Sequence, residues 1–261
     1  MLKVVFIGDL IGKPGRQLVK ELLPRLVEDF VPDLIIANAE NSAGGNGLTI
    51  PIAQELFRLG IHVLTSGNHI WKQKEIIPYM PSEPRLIRPA NYPPDTPGYG
   101  SYVWYSGQIR IGIVNLLGRV FMEAVDCPFR RGLEEIKSLR QITSTIIVDF
   151  HAEATSEKVA MGWFLDGKVS AVCGTHTHVQ TADERILPGG TAYITDIGMS
   201  GPFDSVIGVN KEAIVERYLT ALPIRFDVAS KDNRLCGIKL VLDETTGRAL
   251  SIERFQMAGH L

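Results

Sequence analysis

At 261 residues, 45% of them hydrophobic, the chain carries enough apolar surface for a sizeable core, which excludes a disordered protein. A net charge of −2, with no Lys/Arg cluster beyond two or three residues, speaks against a partner presenting a long phosphate track, so duplex nucleic acid is not expected. No apolar run reaches the roughly 20 residues of a membrane span, and three scattered cysteines without a C-x-x-C pair exclude a disulfide framework.

The opening run from Leu2 to Ile7 is too short for the apolar stretch of a signal peptide and meets Gly8-Asp9 at once. It reads as a first core strand, and the protein is expected in the cytoplasm. Residues 4–7 and 34–37 are continuous apolar runs, the pattern of parallel strands covered on both faces. Between them Leu18, Val19, Leu22, Leu23, Leu26 and Val27 recur at helical spacing, predicting a helix over 16–29 just after Pro14-Gly15. A second helix is expected from Ile50 to Leu59, with Thr49 as N-cap, Pro51 in the first turn and Gly60 closing it. Residues 62–65 give a third strand and 71–79 a third helix.

Seven prolines from Pro78 to Pro97 predict a long surface connection. A hairpin over 101–105 and 110–116 turns at Ser106-Gly107. Apolar strands at 145–150 and 169–173 flank a helix at 156–165, and Cys173 reads as a small buried residue, with metal ligation as the lesser alternative. The remainder reads as β-rich, with strands at 191–195, 224–228, 236–242 and 250–256. A βα half followed by a mixed β half predicts an α/β fold of two packed sheets covered by helices, in one domain spanning 1–261.

Polar residues interrupt this apolar pattern where strands end: Gly8-Asp9, Glu40-Asn41, Gly67-Asn68-His69, His151 and His176-Thr177-His178. Ligands of open α/β sheets gather at the carboxyl ends of strands. The blocks offer one Asp, one Glu, two Asn and four His, enough for two adjacent ions with one histidine to spare. Oxygen and imidazole donors without thiolate suit Mn, Fe or Zn, and two ions roughly 3.5–4 Å apart can clamp a phosphoryl group. A carboxylate such as Glu40 has two oxygens with which to bridge. In an extended segment His176 and His178 share one face. His69 could stay off the metals and donate a proton. His62 and His260 lack this context and read as structural or solvated.

The ordered set, with Ala39-Glu40-Asn41, Thr65-Ser66-Gly67-Asn68-His69, Gly174-Thr175-His176-Thr177-His178-Val179-Gln180-Thr181-Ala182-Asp183 and Thr195-Asp196-Ile197-Gly198-Met199-Ser200-Gly201-Pro202, resembles the calcineurin-like metallophosphoesterases over nearly the whole chain. The nearer likeness is to the bacterial YmdB-like branch. The resemblance implies a four-layer α-β-β-α sandwich of two mixed sheets flanked by helices. It also implies a dinuclear site: Asp9, Glu40, Asn41 and His178 on one ion, and Glu40 bridging to a second held with Asn68, His151 and His176.

By the same resemblance His69 is the proton donor, the two metal ions are iron, with manganese as the alternative, and the substrate is a small cyclic nucleotide of the 2′,3′-cAMP type attacked by a hydroxide shared between the ions. Ile11 stands where many superfamily members have a histidine, Glu40 replaces their bridging Asp, and Ile70 replaces the acid that often follows Gly-Asn-His. These departures match the YmdB-like branch. Rival readings are a regulatory nucleotide- or protein-binding protein with little turnover, a phosphomonoesterase, and a nuclease trimming RNA ends. The β-rich tail and the 78–100 connection leave room for a homo-oligomer interface.

Overall fold

In β1 (Leu2–Ile7) every residue but Lys3 is buried, and its alternation splits the side chains between two cores. Val5 and Ile7 face one apolar cluster, and Val4 and Phe6 face another. This double burial follows from the layering of a computed structural model that describes residues 1–260.

After β1 come β2 (Asp9–Leu10), α1 (Gly12–Phe30), β3 (Leu34–Asn38), α2 (Ile50–Arg58), β4 (Val63–Thr65) and the short α3 (Ile76–Tyr79). The middle of the chain forms β5 (Ser101–Ser106), β6 (Ile109–Leu117), α4 (Pro128–Leu139), β7 (Ile146–His151), α5 (Thr155–Leu165) and β8 (Ala171–Thr175). The chain then runs through β9 (Arg185–Ile186), β10 (Ala192–Ile194), β11 (Met199–Pro202), α6 (Lys211–Thr220), β12 (Asn233–Leu242) and β13 (Ala249–Ala258).

The first sheet runs β2-β11-β12-β1-β3-β4 with β13 beside β12, and the second runs β5-β6-β7-β8-β10-β9. Both are mixed: β1, β3 and β4 are mutually parallel, as are β6, β7, β8 and β10, while β12 and β5 pair antiparallel.

Three apolar layers hold the sandwich together. Leu18, Val19, Leu22 and Leu26 of α1 and Ala53 and Leu56 of α2 pack on Val5, Ile7, Ile35 and Ala37. Between the sheets Val4, Phe6, Leu34 and Ile36 meet Ile111, Ile113, Ile147 and Ile194. Outside the second sheet Ile136 and Leu139 of α4 and Met161 and Leu165 of α5 cover Val114, Val148, Phe150 and Val172. This is the α-β-β-α sandwich the resemblance implied. Cys173 lies buried in the middle layer, with burial raising its thiol.

Several local expectations change. The first helix begins at Gly12, so Pro14 falls in its first turn, where no intrahelical bond is lost. Thr49 occupies the N-cap of α2 without capping it; the Ile50 N–H donates instead to Glu75 Oε1 at 3.0 Å. The helix expected over 71–79 is broken, because Gln73 is extended and separates a 3-10 turn (Ile70–Lys72) from α3.

The proline-rich connection is not a surface strap throughout. Leu86 and Ile87 are buried, and Arg88 stitches the segment by donating to the carbonyls of Pro89, Thr96 and Pro97. The strand expected at 224–228 is absent apart from one bridge, Val209 to Val228. The amphipathic helix α4 and the largely exposed helix α6 occupy stretches for which periodicity had suggested no element. Among the described residues no helix is long and apolar enough to cross a membrane.

Candidate metal centre

The parallel strands β1, β3, β4, β7 and β8 all point their carboxyl ends to one edge of the sandwich, and every candidate residue sits there. Asp9 begins β2 just past β1, Glu40 and Asn41 follow β3, and Asn68 and His69 follow β4. His151 is the last residue of β7, and His176 and His178 follow β8. All eight are brought together. Asp9, Glu40 and His151 are fully buried, and Asn41 is buried as well.

The donor atoms converge on His151 Nε2. Glu40 Oε1 lies 3.0 Å from it, His176 Nδ1 3.0 Å and Asn68 Oδ1 3.2 Å. Ligand atoms of Glu40, His151 and His176 all fall within 4.8 Å of one another. A second group surrounds Asp9: its Oδ1 is 4.0 Å from His178 Nε2 and 3.9 Å from His151 Nδ1, and that oxygen is buried without a hydrogen bond. A buried carboxylate oxygen without a donor is costly unless a cation meets it.

Gly67 makes the space. A Cβ there would lie 2.3 Å from His151 Nε2 and 2.4 Å from Glu40 Oε2, so only glycine lets β4 end beside the cluster. The donor set, the unsatisfied Asp9 oxygen and the glycine cradle fit metal ions. Glu40, Asn68, His151 and His176 would hold one; Asp9 and His178, with Glu40 as bridge, would hold the other.

Asn41 is placed less simply. Its Oδ1 lies 2.7 Å from His69 Nδ1, and its Nδ2 faces Glu40 Oε1 at 3.3 Å and His178 Nε2 at 3.2 Å. In this orientation Asn41 ties His69 to the cluster, and a half-turn of the amide would present Oδ1 to the ion.

The electrostatics describe carboxylates in want of positive charge. Burial raises the Asp9 carboxyl. Burial also works against ionised Glu40, yet His151 and then His69 hold it down to about 2. Conversely, burial opposes charge on His151, but Glu40, Asp9 and Asp149 carry it up to about 9. Burial and the neighbouring His151 push His176 down to about 2. A proton on His151 thus plays the part that a cation would take over.

Residues with no assigned role in the sequence reading set the orientation of these ligands. Thr175 Oγ1 sits 2.8 Å from His151 Nδ1 and donates to Asp149 Oδ1 at 2.7 Å, so Nδ1–H points at the hydroxyl and Nε2 keeps its lone pair. Asn38 Nδ2 donates to the other Asp149 oxygen at 3.2 Å. Burial raises the Asp149 carboxyl to about 7. Glu153 faces His176 Nε2 at 3.2 Å, and the Ile207 carbonyl faces His178 Nδ1 at 2.8 Å, which fixes the remaining tautomers.

Beneath the loop, buried Lys158 donates to Asp196 Oδ2 at 2.6 Å, and the same oxygen accepts from Thr177 N–H at 3.1 Å and Thr177 Oγ1 at 2.7 Å. Thr177 lies between His176 at φ 99° and His178 at φ 66°, two non-glycine residues in left-handed backbone. The anchor holds a strained clamp in place. Asp149, inside an apolar strand, was the one signal that could have flagged this support from sequence.

Two sheets, outer helices and a carboxylate–imidazole cluster at converging strand ends define the calcineurin-like metallophosphoesterase class. Within it the chain belongs to the YmdB-like family, whose pattern matches residues 5–255. It is 48% identical to a 2′,3′-cyclic-nucleotide 2′-phosphodiesterase of Bacillus subtilis over 254 residues, 97% of this chain and 96% of that one. The crystal structure of a phosphatase from Mycoplasma pneumoniae superposes with a TM-score of 0.93 at 38% identity, covering 98% of this chain and 93% of that one. The NAD nucleotidase of Haemophilus influenzae shares the fold alone, with a TM-score of 0.62 at 12% identity, covering 98% of this chain and 56% of the other.

Proposed function

We propose that this protein is a metal-dependent phosphodiesterase that opens small cyclic nucleotides of the 2′,3′ type. The observation that carries the reading is the convergence of Glu40, Asn68 and His176 on His151 Nε2, next to the unsatisfied Asp9 oxygen and with His69 alongside. Two ions, of iron or alternatively of manganese, would neutralise the phosphoryl oxygens and activate water.

The chain's own residues do the rest. The water oxygen bonds to phosphorus as the P–O2′ bond breaks, and the departing electron pair stays on O2′. His69 is partly exposed toward the cavity beside the cluster and gives its proton to that oxygen, leaving a nucleoside 3′-phosphate. Asn41 Oδ1 accepts from its Nδ1–H, so Nε2 carries the transferable proton in the imidazolium form, and the His69 backbone N–H donates to Glu40 Oε2 at 2.9 Å, fixing the loop. Burial disfavours the charged His69 imidazolium and Glu40 works against that.

A binder with little turnover needs no proton donor, so that alternative is not favoured. Purified protein with its metals counted should hydrolyse 2′,3′-cAMP and bis-p-nitrophenyl phosphate. Asn68→Ala should lose metal and activity together, and His69→Ala should fall by about 10²–10⁴-fold with metal retained. Full turnover in metal-loaded His69→Ala would remove the histidine from the mechanism.

A further inference from the structure

Beside the cluster opens a cavity of about 560 Å³, within the range of small-ligand sites. Asn41, His69 and His178 form one end, so a substrate whose phosphorus sits on the cluster extends into this space. The walls are mostly aliphatic, from Ile11, Val206, Val209, Ile214 and Val228. Gly45, at φ 87°, packs so closely that a Cβ there would lie 2.7 Å from Val228 Cγ2, which keeps the floor flat.

The far wall is different. The Arg217 guanidinium lies 4.9 Å over the Phe226 ring, and among the described residues its side chain makes no ion pair and no hydrogen bond. Tyr218 stands at the rim, 84% exposed.

We propose that this cavity is the nucleobase subsite of the phosphodiesterase, selective for guanine, with Arg217 and Phe226 as the residues that set specificity. The inference rests on the phosphodiesterase reading. Aliphatic walls suit a flat heterocycle and not a second phosphate, whose hydration they would strip without replacement. Phe226 lines the cavity and is 41% exposed, so the part of its ring that Arg217 does not cover is open for stacking. A guanidinium stacked on a ring leaves its N–H edges free in its own plane, where guanine presents two acceptors, O6 and N7. Adenine presents N7 beside an amino donor, which sets donor against donor. Asp227, on the same wall and 3.5 Å from Arg225 Nε at one of its oxygens, adds a carboxylate for the N1–H and N2–H donors of guanine.

The test is equilibrium binding of 3′-GMP and 3′-AMP to the metal-loaded protein by calorimetry, alongside kcat/KM for 2′,3′-cGMP and 2′,3′-cAMP. Wild type should favour guanine by roughly tenfold, the scale of one bidentate pair. Arg217→Lys, at an exposed position that does not threaten the fold, should bring the ratio close to one, because lysine keeps the charge and loses the fork. Phe226→Leu should weaken both nucleotides by roughly tenfold through lost stacking. Equal binding in wild type, or an undiminished guanine preference in Arg217→Lys, overturns the subsite. If metal-loaded wild type fails to hydrolyse even bis-p-nitrophenyl phosphate, the phosphodiesterase reading falls, and the binding ratio alone then decides the subsite.

Discussion

Replacing Lys158 by methionine probes how the two-histidine clamp is held. Lys158 is 1% exposed, and its ammonium donates to Asp196 Oδ2 at 2.6 Å and to the Thr175 carbonyl at 2.7 Å. Methionine nearly conserves the stem, so the packing change is small and the electrostatic loss dominates. Removing one partner of a buried pair costs about 3–5 kcal/mol because the other charge is stranded. Here Asp196 keeps three donors, Thr177 N–H, Thr177 Oγ1 and Gly198 N–H, which places the loss near the lower end, about 3 kcal/mol.

That is a large part of the about 5–15 kcal/mol of an ordinary domain without exceeding it, so the variant should fold and melt about 6–12 °C lower. The left-handed backbones of His176 and His178 cost of order 1–3 kcal/mol each and persist only while their surroundings hold them. Loosening Asp196 should relax them, and manganese affinity should fall about 10–100-fold. Urea denaturation and metal titration on the same preparation give both numbers. A stability loss below about 1 kcal/mol would refute the stranded-charge argument. A normal loss with unchanged metal affinity would show that the pair supports the core and not the clamp.

Gly67→Ala should drive a methyl into the space between His151 and Glu40, where the new Cβ would stand 2.2 Å from His151 Cδ2. Relieving that contact takes a displacement of about 1 Å, so metal content should collapse while far-ultraviolet circular dichroism is retained and stability drops by about 1–3 kcal/mol. Normal metal content would mean that the cluster has slack the geometry denies. His62 should confer an acid sensitivity of its own. Its Nδ1 accepts the Ile35 N–H at 3.0 Å, and burial, with Arg85 adding to it, holds the imidazole below its usual 6.5. The neutral form is thus favoured in the folded state. Its contribution is complete above pH 6.5 and is lost as pH falls through that value toward the folded pKa. Stability measured from pH 8 to 5 in wild type and His62→Gln should show this slope in wild type and a shallower one in the variant; equal slopes would exclude His62.

The site was legible because each of its residues interrupts an apolar run at a strand end, and strand ends are where parallel sheets gather their ligands. Asp9, Glu40, Asn68, His151 and His176 could be named from position as candidates, and the ordered strings named the family. Helix α6 was misjudged. Its buried stripe reduces to Ile214, while Val215, Tyr218 and Leu219 lie exposed, so periodicity carried little signal there. The run 224–228 looked like a strand by composition, yet it has no ladder partner beyond one bridge. Propensity could not supply the missing neighbour.

What the sequence determined by itself is the set of polar turns at the strand ends, the two-core alternation of β1 and the layered class, because each follows from patterns a few residues long. What only the tertiary structure decided is how those turns are held. Asp149 reaches His151 through Thr175, Lys158 of α5 meets Asp196 after β10 to fix Thr177, and Arg217 is set over Phe226 beside the cluster. Most of these pairs join residues far apart in the chain and are defined by direction and burial, which no local pattern of residue types encodes.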